Sequence, residues 1–211
     1  MTTTTITTTT TSIISSTMSR PDFAAIANLV KTGSKVLDLG CGDGSLLRYL
    51  RDTKDIHGYG VEINDENVQA CFKNGINVIQ NDLESGLSSF GSGSFDYVIL
   101  SQTLQAMRHT EDLIKEMMRV SKEGIVSFPN FGYWKNRLQI LSGHMPVSEF
   151  LPYQWFDTPN IHLCTLSDFE EFCRQHGANI LERRIMNGDH QVFFAPNLLG
   201  ALAFYRFEQQ K

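Results

Sequence analysis

The chain has 211 residues, 41% of them hydrophobic, and 23 acidic against 18 basic side chains set its net charge at -5. That length buries a full core without disulfide or metal staples and suits a single domain. The acid excess removes the phosphate-neutralising Lys and Arg on which binding to duplex nucleic acid rests. Four scattered cysteines, Cys41, Cys71, Cys164 and Cys173, form no C-x-x-C pair and no His-spaced set, which predicts reduced thiols, a cytoplasmic protein and no structural metal.

Taken in order, the opening stretch MTTTTITTTTTSIISSTM carries no charged side chain and cannot build a core, so residues 1–19 read as a disordered Thr/Ser-rich segment. It lacks the basic start and apolar run of a secretory signal and the arginines of a transit peptide. Patterned sequence begins directly after Met18, which predicts that translation starts there. Residues 20–211 read as one domain of alternating strands and helices. DFAAIANLVKTG is helical and closes at Gly33; KVLDLG is a short apolar run of the kind buried in parallel sheets, and a helix follows from Ser45. HGYGVEI ends a second strand at Glu62, and NDENVQACFKNG makes a helix opened by Asn64 or Asp65 and stopped by Gly75. NVIQNDL is a third strand, SFDYVILS a central fourth, TEDLIKEMMRVS a helix, and GIVSFPN a fifth strand that Pro129 terminates.

An aromatic-rich, proline-punctuated insertion then occupies about 130–165, longer than an ordinary connection and suited to a lid or binding surface. SDFEEFCRQHG resumes as a helix with Ser167 as N-cap and Glu170 three residues on. NILERRIMNG and HQVFFAP predict a closing antiparallel hairpin. The tail NLLGALAFYRFEQQK is apolar but far short of the roughly 20 residues that span a bilayer, so no membrane is expected, and the tail itself receives no element.

The chemistry concentrates in VLDLGCGDGSLL, where Gly40, Gly42 and Gly44 separate a strand from a helix. Glycines allow close backbone approach to a ligand, and the helix start offers unpaired N–H groups. A dinucleotide fingerprint needs glycine where this chain has Ser45. Asp38, two residues before the first glycine, would repel a pyrophosphate but suits an ammonium. Cys41 fits the turn by its small size, and its place beside a helix start favours the thiolate.

This D-x-G-x-G-x-G turn resembles motif I of class I S-adenosylmethionine-dependent methyltransferases. The resemblance implies a Rossmann-like α/β fold: a mostly parallel seven-stranded sheet with helices on both faces and a C-terminal antiparallel hairpin. It implies S-adenosylmethionine or S-adenosylhomocysteine as cofactor, held by Asp38, Gly40, Cys41, Gly42, Gly44, Glu62, Ile63, Asp82, Leu83 and Ser101. In that family Glu62 would hold the ribose hydroxyls and Asp82 the adenine amino group, while Gln102 to Gln105 would occupy the active-site edge. Beyond the cofactor half, RPDF, QTLQAM, IVSFPNFGYWKNRLQ, MPV, LPYQWFDTPNIHLCT and DFEEFC resemble the methionine biosynthesis family MetW over about Arg20 to Cys173. That resemblance implies a methyltransferase-like protein associated with homoserine acylation, with the homoserine O-acyltransferase MetX as partner, and names no methyl acceptor.

Methyl transfer needs alignment and water exclusion more than a fixed dyad. On the insertion, Tyr133, Trp134, Tyr153 and Trp155 are candidates to wall an acceptor pocket, Arg137 to bind a carboxylate and His162 to act as a base; packing of the insertion onto the sheet is the plainer account of the same residues. Two functional classes follow: a cofactor-responsive accessory protein for the acyltransferase, or a small-molecule methyltransferase. A degenerate fold without cofactor is disfavoured by the three glycines. An exposed aromatic patch on the insertion, or on the tail around Phe204, Tyr205 and Phe207, would favour the partner role, and a closed pocket would favour catalysis. A homo-oligomer is compatible with the sequence.

Overall fold

A computed structural model describes residues 21–210; the Thr/Ser segment and the proposed start at Met18 lie outside the described residues. The first half runs α1 (Pro21–Ala27), β1 (Lys35–Leu39), α2 (Ser45–Lys54), β2 (His57–Glu62), α3 (Asp65–Lys73), β3 (Asn77–Gln80), β4 (Phe95–Ser101), α4 (Thr110–Val120) and β5 (Ser121–Pro129). The second half adds α5 (Trp134–Leu141), α6 (Leu166–Gln175), β6 (Ala178–Asn187), β7 (His190–Gln191), α7 (Pro196–Leu199) and β8 (Leu202–Gln209). One sheet holds all strands in the order β3-β2-β1-β4-β5-β8-β6-β7. β1 to β5 pair in parallel and the C-terminal strands are antiparallel. Seven main strands and the two-residue hairpin partner β7 therefore realise the expected architecture.

Period-two alternation divides the core between the sheet's faces. Leu37, Leu39, Val98, Leu100, Val126 and Phe128 pack with α4 and α6, whereas Val36, Ile99 and Ile125 pack with α1, α2 and Cys71 of α3. The helices answer with stripes at helical spacing, Leu46, Leu47 and Leu50 on α2 and Leu113, Ile114, Met117 and Met118 on α4. α1 is shorter than its apolar pattern suggests, because after Ala27 the chain tightens into turns that join Leu29 N to the Ile26 carbonyl and Val30 N to the Ala27 carbonyl.

The tail is the main departure from the sequence reading. It forms β8, wedged between β5 and β6, with Val126 and Arg183 both opposite Tyr205. Phe204, Tyr205 and Phe207 are fully buried, so they offer no exposed patch. A Cβ on Gly124 would come within 2.5 Å of the Phe207 ring, so the glycine on β5 makes room for it. Arg206 ties three strands, donating to Glu123 at 2.6 Å and Glu182 at 3.1 Å. A second correction concerns α6. Its N-cap is Thr165, whose hydroxyl and backbone N–H exchange bonds with Asp168, while the Ser167 hydroxyl accepts from Asn197.

Candidate functional site

The glycine turn leaves the C-terminal end of β1 and folds back over β2. Both Gly40 N and Cys41 N donate to the Val61 carbonyl, at 2.8 and 3.1 Å. Gly40 needs its missing side chain twice over: φ is +69°, and a Cβ would lie 2.9 Å from the Thr103 hydroxyl. Gly60 on β2 is equally constrained, since a Cβ there would meet the Cys41 sulfur at 2.3 Å. Asp43 closes the turn, accepting from Ser45 N at 3.0 Å and Ser45 Oγ at 2.7 Å. The first helical N–H expected to await an anionic ligand is thus already taken by the turn's own carboxylate, an Asx arrangement legible as Asp two residues before Ser.

Alternation in β1 sends Asp38 inward, where it is 2% exposed, and among the described residues no hydrogen-bond donor reaches its carboxylate. Burial, reinforced by the charge of Glu62, pushes its pKa up to about 8. Glu62 has the opposite surroundings: Oε2 accepts from Gly42 N at 2.9 Å, and Oε1 from Ile63 N at 2.8 Å and Asn64 N at 2.9 Å. With about four acceptor positions on a carboxylate, one stays open. That suffices for one hydroxyl, and holding two would require Glu62 to release a backbone donor. The Cys41 thiol departs from expectation: burial and the Asp38 charge push its pKa up, overriding any help from the helix start. It shares a 3.8 Å contact with Cys71.

Asp38, Asp43 and Glu62 around one turn disfavour a phosphate and favour a cation. An unsatisfied buried carboxylate is the specific fit for a ligand ammonium, which would supply both the donor and the charge. The remaining candidates gather at the same sheet edge. The Asn81 N–H donates to the Glu62 carbonyl, which brings the β2 and β3 ends together, and Asp82 follows, capping a short turn by accepting from Glu84 N. Ile63 is exposed and Leu83 half-buried. Ser101 pairs with Ser127 at 3.0 Å.

Not all insertion candidates converge. Tyr133 is buried with its hydroxyl near Asn187, the Arg137 Nε donates to the Gly132 carbonyl at 2.6 Å, and Trp134, Tyr153 and Trp155 are exposed. His162 stands at the rim of a separate cavity. Of the segment expected at the active-site edge, Thr103 lies against Gly40, and Gln102 has φ +53° and donates to Asp22; neither contact was visible in the motif. Among the described residues no cluster of His, Cys, Asp and Glu is arranged to hold a metal ion, and no helix is long and apolar enough to cross a membrane.

The sheet order and its glycine turn define the fold of S-adenosylmethionine-dependent methyltransferases. The chain is similar to such an enzyme from Thermotoga maritima, with a TM-score of 0.64 at 17% identity over 90% of this chain and 88% of that one. A second, from Mesorhizobium loti, gives 0.65 at 16% identity over 90% and 98%. Within that fold the chain belongs to the MetW family: the profile described as methionine biosynthesis protein MetW matches residues 20–207. The bifunctional methionine biosynthesis protein MetXA/MetW of Rhodopirellula baltica is 40% identical over 165 residues, which is 73% of this chain and 26% of that protein. The chain thus spans about a quarter of that relative's length.

Proposed function

We propose that this protein binds S-adenosylmethionine at the glycine turn and acts in methionine biosynthesis by supporting or regulating a homoserine O-acyltransferase. The observation that carries the reading is the relative in which a MetW segment and a MetXA segment share one chain, since covalent fusion holds two modules at high effective concentration. The cofactor part rests on Asp38, a buried acid with no donor of its own among the described residues. Asp38 would hold the ammonium, the backbone of Gly40, Cys41, Gly42 and Gly44 would lie against the amino-acid end, and Glu62 would accept a ribose hydroxyl. Ile63, Asp82, Leu83 and Ser101 would border the base and the reactive end. When bound, the cofactor supplies an activated methyl group; an accessory role needs only its occupancy, which reports the pathway's output.

The test is to mix the protein with the homoserine O-acyltransferase of the same organism and follow acyl transfer with and without S-adenosylmethionine. A stable complex and a several-fold change in rate are expected. No complex and an unchanged rate would overturn the accessory reading, and transfer of labelled methyl to a small molecule would replace it with catalysis. Calorimetry on Asp38→Ala and Glu62→Ala is expected to show cofactor binding lost; unchanged affinity in both would refute the site.

A further inference from the structure

We infer that the outward face of the insertion, centred on α5, pairs with the same face of a second copy of this chain in a two-fold dimer. The first observation is that α5 is turned inside out. An ordinary surface helix buries an apolar stripe and shows polar residues to water. α5 instead buries Asn136, 2% exposed, whose Nδ2 donates to the carbonyls of Asn130 and Phe131 at 3.2 and 3.4 Å. Trp134, Leu138 and Leu141 follow one another at helical spacing, so they form one stripe on the opposite side. All three are exposed, Leu141 at 84%.

The rest of the insertion adjoins this stripe. The Gln139 side chain accepts from Val147 N at 3.0 Å and donates to the Val147 carbonyl at 3.2 Å, which clamps the following turn to α5. Met145, Tyr153, Trp155 and Leu163 then surround one shallow hollow of about 50 Å³. More than half of the exposed large apolar side chains among the described residues lie between Trp134 and Leu163. With about 150–250 Å² for a whole aromatic side chain, they present on the order of 1,000 Å² of apolar surface. That exceeds the roughly 300–600 Å² of the largest patch on a typical monomer and covers the roughly 800 Å² that each partner of a specific interface buries.

Charge selects the occupant. At about 100° per residue, Lys135 and Arg137 flank the stripe on its two sides, and α5 contains no acid. The arm SEFLPYQWFDT over 148–158 carries the acids Glu149 and Asp157 and no base. None of these four side chains forms an ion pair among the described residues. An isologous interface must hold its own complement, because each patch meets itself after a half-turn. A basic helix beside an acidic arm meets that condition, whereas a surface shaped for an anionic membrane or for one sign of charge on another protein needs only one of the two. The face contains no residue of the glycine turn, so the dimer stands apart from the cofactor reading.

The test is sedimentation velocity on the full chain, without cofactor or acyltransferase. A monomer–dimer equilibrium is expected, with a dissociation constant on the order of 10 μM. Leu138→Asp is expected to weaken association at least tenfold by placing a charge in the stripe. Urea titration well below that constant, where the monomer is what unfolds, is expected to give this variant the wild-type stability, which separates loss of the dimer from loss of the fold. Two charge-reversed chains sharpen the test: Lys135→Glu with Arg137→Glu, and Glu149→Lys with Asp157→Lys. Each alone is expected to associate at least tenfold more weakly, and an equimolar mixture to recover near wild-type association, since every reversed group then faces its opposite. A wild type that stays monomeric at about fifty times that constant overturns the inference. So do a dimer unaffected by Leu138→Asp and a mixture that associates no better than its components. A face that ignores its own copy but is covered by the acyltransferase, or by vesicles of anionic lipid, also overturns it, and the first of these leaves the proposed function standing.

Discussion

The tail LAFYRF and the insertion stretch YQWF crowd aromatic rings into a few positions alike, yet Phe204, Tyr205 and Phe207 are fully buried while Trp155 and Phe156 are 73% and 70% exposed. What separates them is the backbone. Residues 202–209 find ladder partners on both sides, β5 and β6, and each pairing carries side chains into both cores. Between Met145 and Cys164 the main chain joins no ladder beyond an isolated bridge from Ser148 to Leu151, and is held by scattered bonds such as those from Ile161 and His162 to the Gln105 carbonyl, from Asp157 to the Gln154 carbonyl and from Val147 to the Gln139 side chain. Aromatic content therefore predicts burial only where the main chain has somewhere to pair.

Substitutions can break this contrast. Phe207→Ala is expected to cost about 3–5 kcal/mol, because the ring fills the space over Gly124 and collapse there is blocked by strands on both sides; urea titration measures it. The next effect is a pH dependence from Asp38. Its folded pKa of about 8 lies above the unfolded value, so the folded state holds the proton more tightly, and the associated stability is complete below about pH 4 and lost as pH rises to about 8. The loss is expected to appear as a falling melting temperature across that window, and Asp38→Asn should flatten the melting temperature against pH. A bound ammonium would reverse the preference, so cofactor affinity should rise with pH over the same range. Gly60→Ala is expected to cost about 1–3 kcal/mol through collision with the Cys41 sulfur, with partial recovery when Cys41→Gly is added. Trp155→Ala closes the series, with a change within about 0.5 kcal/mol in the same titration. A large loss there would mean that the insertion aromatics carry stability after all.

The same contrast explains how much was legible beforehand. β1 to β5 and their helices follow local rules: short apolar runs, caps such as Asn64, and stops such as Pro129. The turn that organises the site lies wholly within Asp38 to Ser45, and the expected acids Asp38, Glu62 and Asp82 do stand at the ends of consecutive strands. β8 was not legible, because LAFYRF is apolar without alternation and its justification lies in partners remote in sequence. Gln102 to Gln105 were expected at the active-site edge, but the contact of Thr103 with Gly40 was hidden, since nothing within QTLQAM says which residue will touch a turn some 60 positions earlier. The thiol of Cys41 was misjudged for a related reason: a helix start is visible in sequence, whereas the burial that outweighs it is not.

The position of β8 also has a consequence for synthesis. β6 leaves the ribosome before the strand that joins it to the sheet, and α7 and its flanking turns lie between them. Until residues 202–209 emerge, β5 presents an open edge, Ile185 lacks its partner Ala203, and neither sheet face is complete. The nascent protein thus passes through an interval with two unpaired apolar edges, the condition in which chains pair wrongly with one another. Closure of the sheet is therefore expected to wait for its last described strand, and a chain cut just short of residue 202 is expected to be aggregation-prone.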